Sequence, residues 1–78
     1  MILHVTQVQR LGGYVLALAF NDGKACEVDL DSSLWGSMFE PLRDKKTFDT
    51  VHISDELGTI VWDNGADFAP EYLRDLAK

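Results

Sequence analysis

Three carboxylates in the last third of the chain have the spacing that best fits metal chemistry. Asp63, Asp67 and Glu71 recur at intervals of four residues beside the pair Asn64-Gly65. Carboxylate oxygens are preferred ligands of Ca²⁺ and Mg²⁺, but the order of these residues is not that of an EF-hand loop. Acidic residues are also common where a helix begins, because they stabilise its dipole. We therefore predict that Asn64-Gly65 forms a turn, that Asp67 binds nearby backbone amides, and that no metal is held. A divalent-cation or small-ligand site in this segment is the alternative.

The candidate nucleophiles and transition-metal ligands are few. Cys26 alternates with Val28 and Leu30, which predicts a buried structural thiol rather than a nucleophile. His4 and His52 have no Cys or His at ligand spacing. The chain has neither a G-x-S-x-G motif nor a glycine-rich phosphate loop. We expect a protein that is not an enzyme and carries no cofactor, because so short a chain has little volume for a pocket of about 300 Å³ or more.

The charge balance points to the kind of partner. The chain has 13 acidic and 7 basic residues and a formal net charge of −6, with the acidic excess concentrated in the last third. Nucleic-acid binding draws most of its affinity from phosphate neutralisation by Lys and Arg. We therefore expect no direct nucleic-acid contact, and a basic or neutral protein partner is electrostatically easier to bind.

The aromatic and Met residues after the first third of the chain are candidate anchors for such a partner. Trp35, Met38 and Phe39 lie in an irregular region, and these residue types are enriched at interface cores. The alternative is that they only close the open end of a sheet. The predicted partner surface joins them to acidic and amide side chains that would steer the encounter: Asp55, Glu56, Asp63, Asn64, Asp67 and Glu71.

Length and composition favour a single domain over residues 1–78. No stretch approaches the roughly 20 apolar residues of a membrane-spanning helix, and the N-terminus lacks the pattern of a signal peptide. One cysteine permits no intrachain disulfide, which is typical of a reducing compartment. We expect a cytoplasmic protein without a membrane contact.

Apolar alternation predicts antiparallel strands in the first half of the chain, over residues 2–11, 14–20 and 24–30. A three-residue loop between the second and third strands pairs Leu18 with Cys26 and Leu16 with Val28, which keeps the apolar faces together. Such a loop places Gly23 in the left-handed conformation. The second strand is apolar on both faces, so we expect it to be central and covered on both sides.

The second half alternates between short helical and strand patterns. A four-residue loop pairs Ile53 with Ile60, and Phe68 is expected to pack on Leu73 as a hydrophobic staple at the start of the last helix. The expected elements are single helical turns near 31–35 and 41–44, strands at 48–54 and 59–62, and a helix over 70–77. The sequence predicts an α+β fold: a mainly antiparallel sheet of about five strands with a short middle helix and a short C-terminal helix.

The order of several short motifs resembles that of one known family, the bacterial domain-of-unknown-function 2442 family. The match runs over nearly the whole chain and rests on co-linear motifs rather than on one signature. The motif residues are Leu18, Phe20, Asp22, Gly23, Val28, Asp29, Leu30, Phe39, Glu40, Leu42, Phe48, Gly58, Thr59, Ile60, Val61, Trp62, Asn64, Gly65, Ala66, Asp67, Ala69 and Pro70.

The resemblance implies a regulatory role and no chemistry. Some members carry a helix-turn-helix domain after this one, and we expect none here because the chain stops at Lys78. Other members are encoded beside another small protein, an arrangement suggestive of toxin–antitoxin pairs. The leading hypothesis is a non-catalytic protein-binding or regulatory module, antitoxin-like in a two-protein system. A self-associating domain, a homodimer paired through an exposed strand edge, is a further alternative.

Overall fold

The first third of the chain forms a three-stranded antiparallel sheet in the order β1-β2-β3. The computed structural model describes residues 2–77. The three strands are β1 (Val5–Gly12), β2 (Val15–Phe20) and β3 (Ala25–Asp29). Leu16 pairs with Val28 and Leu18 with Cys26, as the loop length predicts. Gly23 has a φ of +87°. The predicted register is therefore confirmed, and β2 is the central strand.

The outer face of this sheet is open, so the prediction that β2 is covered on both sides is wrong. Leu16, Leu18 and Phe20 are buried on the inner face, whereas the alternate residues of β2 are only half-buried. The cross-strand neighbours of those alternate residues are exposed: Gln7, Gln9, Ala25 and Glu27. Exposure of this face costs little free energy at Ala17 and Ala19, because alanine side chains present little apolar area to water.

A second, two-stranded sheet follows in the second half of the chain. It consists of β4 (His52–Ser54) and β5 (Thr59–Val61), and Ile53 pairs with Ile60 as predicted. The turn between them is held against β1, because the Val5 amide donates to the Gly58 carbonyl at 2.9 Å. Gly58 has a φ of +68°, and a Cβ there would lie 2.6 Å from the Cδ2 atom of His4. The five antiparallel strands are thus divided between two sheets.

Helical turns connect the sheets. Two single 3-10 turns, Asp31–Ser33 and Glu40–Arg43, precede α1 (Lys45–Phe48), and the last helix is α2 (Pro70–Leu76). The α+β class is confirmed. A strand beginning at residue 48 is not observed, because the Phe48 amide donates to the Asp44 carbonyl at 2.8 Å and closes a helical turn. This turn carries the Phe48 ring into the core, where it meets Trp62 at a centroid distance of 5.8 Å.

One apolar core lies between the inner face of the larger sheet and the later elements. Its largest fully buried side chains include Trp62, Phe48, Leu42, Ile60 and Leu73. The Trp62 indole nitrogen donates to the Phe48 carbonyl at 2.9 Å, so this buried polar group is satisfied.

A guanidinium clamp attaches α2 to the β2–β3 turn. Arg74 Nη2 donates to Asp22 Oδ2 at 2.5 Å, and the Arg74 Cζ lies 4.7 Å from the centroid of the Phe20 ring. The hydrogen bond from Arg74, with a second from the Lys24 amide, lowers the pKa of Asp22 below its ordinary value.

Candidate functional site

Three aromatic rings, two of them from around the start of α2 and one from a distant segment, form one stack. Phe68 lies between Phe39, at a centroid distance of 4.6 Å and an interplanar angle of 19°, and Tyr72, at 5.4 Å and 8°. Trp62 meets Phe68 edge-on at 5.8 Å. Offset and edge-to-face ring contacts of this kind contribute about 0.5–1.5 kcal/mol beyond area burial. The stack therefore fixes the start of α2 against the segment that contains Phe39.

Hydrogen bonds hold the facing segment in place. The buried Ser33 hydroxyl and the Tyr72 hydroxyl lie 2.9 Å apart. Gly36, with a φ of +87°, turns the chain so that its carbonyl accepts the Glu40 amide at 2.9 Å. Asn64 Nδ2 donates to the Met38 carbonyl at 3.1 Å. These bonds join the segment 33–40 to the C-terminal third of the chain and, in the case of Gly36 and Glu40, close a turn within the segment.

A groove of about 470 Å³ opens between these two segments, and we call it the aromatic groove. Three of its large side chains are exposed: Trp35 by 73 %, Met38 by 46 % and Tyr72 by 44 %. Its lining residues are Ser33, Trp35, Gly36, Ser37, Met38, Phe39, Asp67, Phe68, Ala69 and Tyr72. Exposed large apolar side chains gathered in one concavity are typical of binding surfaces.

Asp67 is the one charged residue among those that line the groove. Its backbone bridges to Val61. Its side chain is exposed and makes no hydrogen bond or ion pair with residues 2–77. The prediction that Asp67 binds nearby backbone amides is therefore wrong. Asn64 has that role, because its Oδ1 accepts the Ala66 amide at 3.0 Å while Gly65 completes the turn with a φ of +87°.

The structure brings together part of the predicted partner surface. Trp35, Met38, Phe39 and Asp67 line the groove, and Asn64 supports it from the side. The other acidic residues do not line it. Asp55 and Glu56 lie in the turn between β4 and β5, Glu71 lies in the first turn of α2, and Asp63 lies 4.0 Å from the Nδ1 atom of His52.

Sequence reasoning missed the contributions of Phe68 and Tyr72 to the groove. The sequence pattern pairs Phe68 only with Leu73, as a staple. Both residues belong to the core, but the ring of Phe68 contacts those of Phe39, Trp62 and Tyr72. Helical spacing does not predict this contact, because Phe68 lies before α2 begins at Pro70 and the i, i+4 rule applies only within a helix.

The carboxylates of residues 63–71 are not gathered into one cluster. Among residues 2–77, no group of three or more His, Cys, Asp or Glu side chains is close enough to hold an ion. The alternative of a cation site in this segment thus lacks the ligand set that it needs.

Cys26 lies in a second concavity, of about 790 Å³, that also includes Leu18, Glu27 and His52. The predicted lack of volume for pockets above about 300 Å³ is therefore wrong. The thiol is half-buried rather than fully buried, and burial raises its pKa. A raised pKa favours the unreactive thiol over the thiolate, which agrees with a structural role.

The comparison with known proteins shows the family. A family described as "protein of unknown function (DUF2442)" matches residues 5–78. The chain belongs to the DUF2442 family. No curated protein and no solved structure matches it. The family description names no activity. Across residues 2–77, no helix is long and apolar enough to cross a bilayer.

Proposed function

We propose that this DUF2442 protein is a non-catalytic protein-binding module that holds a segment of its partner in the aromatic groove. The observation that carries the proposal is the exposure of Trp35, 73 %, beside a floor of stacked rings. Trp, Tyr and Met are enriched at the centres of protein interfaces, and buried aromatic anchors supply most of the binding energy there. Because so much of the Trp35 side chain is exposed, a partner that covers it would bury a large apolar area.

Charge supports a basic or neutral partner. The chain carries a net charge of −6, and the groove itself contributes one carboxylate, Asp67. Opposite charge on the partner would raise the rate of association at low salt. The antitoxin-like role in a two-protein system is the more specific form of this proposal, and it rests on the family resemblance.

The test is a pull-down with three tagged proteins, read out by mass spectrometry at low and high salt. Wild type is compared with Trp35→Ala and with Leu57→Ala, which removes another exposed apolar side chain (54 % exposed) outside the groove. One stoichiometric protein recovered by wild type and Leu57→Ala, but lost with a folded Trp35→Ala, is the expected result. Equal recovery by all three would contradict the groove as the interface.

Self-association is the second candidate function, and the open outer face of the larger sheet favours it. Half-buried Val15, Ala17 and Ala19 would gain further burial in a dimer paired across this face. Sedimentation velocity over a hundredfold concentration range tests it: a dimer at high concentration supports this candidate, and a monomer throughout refutes it.

A further inference from the structure

We propose that the aromatic groove recognises an arginine side chain of the partner, with Asp67 as its counter-charge. This rests on the proposed function and names the chemistry of the occupant. Two properties of the groove, its aromatic surface and its single carboxylate, lead independently to a cationic ligand.

The electrostatic argument starts from the lining residues. Asp67 is the only charged one, and it has no partner of opposite charge within residues 2–77. All arginines of the chain are paired elsewhere, so none of them neutralises it: Arg10 with Asp49, Arg43 with Asp31 and Arg74 with Asp22. A cation from outside would meet an uncompensated carboxylate beside an apolar surface, where its attraction is stronger than in bulk water.

The aromatic argument concerns the faces of the rings. Cations bind over the faces of Trp and Tyr, and Arg does so more often than Lys because its planar guanidinium also stacks. Trp35 and Tyr72 are both well exposed in the groove. The Phe39–Phe68–Tyr72 stack has nearly parallel rings, so a planar group can extend it.

The same molecule already uses this combination once. The guanidinium of Arg74 lies over the Phe20 ring at 4.7 Å and donates to the Asp22 carboxylate at 2.5 Å. The aromatic groove has the same two elements, a ring surface and a carboxylate, among its lining residues. An arginine from the partner would complete an equivalent clamp.

The test uses N-acetyl-arginine methylamide as the probe, titrated into ¹⁵N-labelled protein and followed by NMR. The neutral isostere N-acetyl-citrulline methylamide and the anion N-acetyl-glutamate methylamide serve as controls of shape and charge. The Trp35 indole N–H reports on the groove. The Trp62 indole is an internal control, because it is buried and bonded to the Phe48 carbonyl.

We expect saturable shifts of the Trp35 indole with the arginine probe and none at Trp62. The citrulline probe should bind about fivefold more weakly, since a cation–π contact at an exposed site contributes up to about that factor. Asp67→Asn should lower the affinity for the arginine probe and leave only the preference that comes from the cation–π contact, whereas Asp55→Asn, outside the groove, should leave the affinity unchanged. Raising the salt concentration should lower the affinity of the arginine probe and leave that of the citrulline probe unchanged.

Three results would overturn the inference. They are equal affinity for arginine and citrulline, preferential binding of the glutamate probe, and an arginine affinity that Asp67→Asn does not lower. None of these three results decides the proposed function. That function is tested by the pull-down with Trp35→Ala, whose outcome depends on the groove and not on charge. Conversely, selective arginine binding together with an unaffected pull-down would refute the groove as the protein interface.

Discussion

Substitution of Asn64 by Ala separates the structural support of the groove from its binding chemistry. The Asn64 side chain makes two hydrogen bonds, from Nδ2 to the Met38 carbonyl at 3.1 Å and to Oδ1 from the Ala66 amide at 3.0 Å. A typical intramolecular hydrogen bond contributes about 0.5–1.5 kcal/mol net. Because the first bond is exposed and the second only partly buried, each should contribute in the lower half of that range, about 0.5–1 kcal/mol. Asn64→Ala should therefore lower the free energy of unfolding by about 1.5 kcal/mol.

The assay is urea and thermal unfolding followed by circular dichroism. In a domain of this size, 1 kcal/mol corresponds to about 4–8 °C, so we expect the Tm to fall by about 6–12 °C. Asn64→Asp retains an acceptor for the Ala66 amide and loses the donor to Met38, so its effect should lie between those of wild type and Asn64→Ala.

Asp67→Ala is the matched control in the same segment. Its carboxylate makes no hydrogen bond or ion pair with residues 2–77, so the free energy of unfolding should stay within about 0.5 kcal/mol of wild type. A destabilisation by Asp67→Ala as large as that of Asn64→Ala would refute the reasoning. So would an Asn64→Ala protein as stable as wild type.

Three further perturbations test other parts of the structure. The pKa of Asp22 is lower in the folded state than its unfolded-state value of about 3.9. The bond between Asp22 and Arg74 therefore stabilises the fold at pH values above about 3.9, and this stabilisation is lost as the pH falls through the folded-state pKa. The difference in unfolding free energy between wild type and Asp22→Asn should thus be full at pH 7 and disappear at strongly acidic pH; a constant difference would contradict this. Burial raises the pKa of Cys26, so its reaction with a disulfide reagent at neutral pH should be slow and should accelerate when urea unfolds the protein; equal rates would show an accessible thiolate. Gly58→Ala places a Cβ against the His4 ring at a positive φ and should cost about 1–3 kcal/mol of unfolding free energy, whereas unchanged melting would mean that the turn relaxes freely.

The parts of the fold that follow from local pattern could be predicted from the sequence. The β2–β3 register follows from the parity of Leu16, Leu18, Cys26 and Val28, because a slip of one residue would expose an entire apolar face. The same reasoning gives the pairing of Ile53 with Ile60. The start of α2 follows from Pro70, which suits the first turn of a helix, whereas the helix ends at Leu76, one residue before the predicted end.

The elements that were misjudged depend on contacts between distant segments. Phe48 belongs to a pattern that also suits a strand, but its ring packs between Tyr14 and Trp62, and a helical turn is what brings it there. The groove depends on Phe39 meeting Phe68, a contact that no local periodicity encodes. Trp35 and Met38 could be proposed as groove residues from their residue types alone, whereas the neighbours that they meet in the groove could not.

The Phe39–Phe68–Tyr72 stack also governs when the site can exist during synthesis. The strands of the larger sheet are complete once Asp29 has been added, and their pairings are local hairpins that close quickly. One wall of the groove comes from residues 33–39, and the other comes from residues 67–72. A nascent chain that has exposed only its first half at the ribosome therefore carries a sheet without a groove. Fragments that lack residues 67–72 would be without one wall of the groove, and the inner face of their sheet would lose part of the core that covers it.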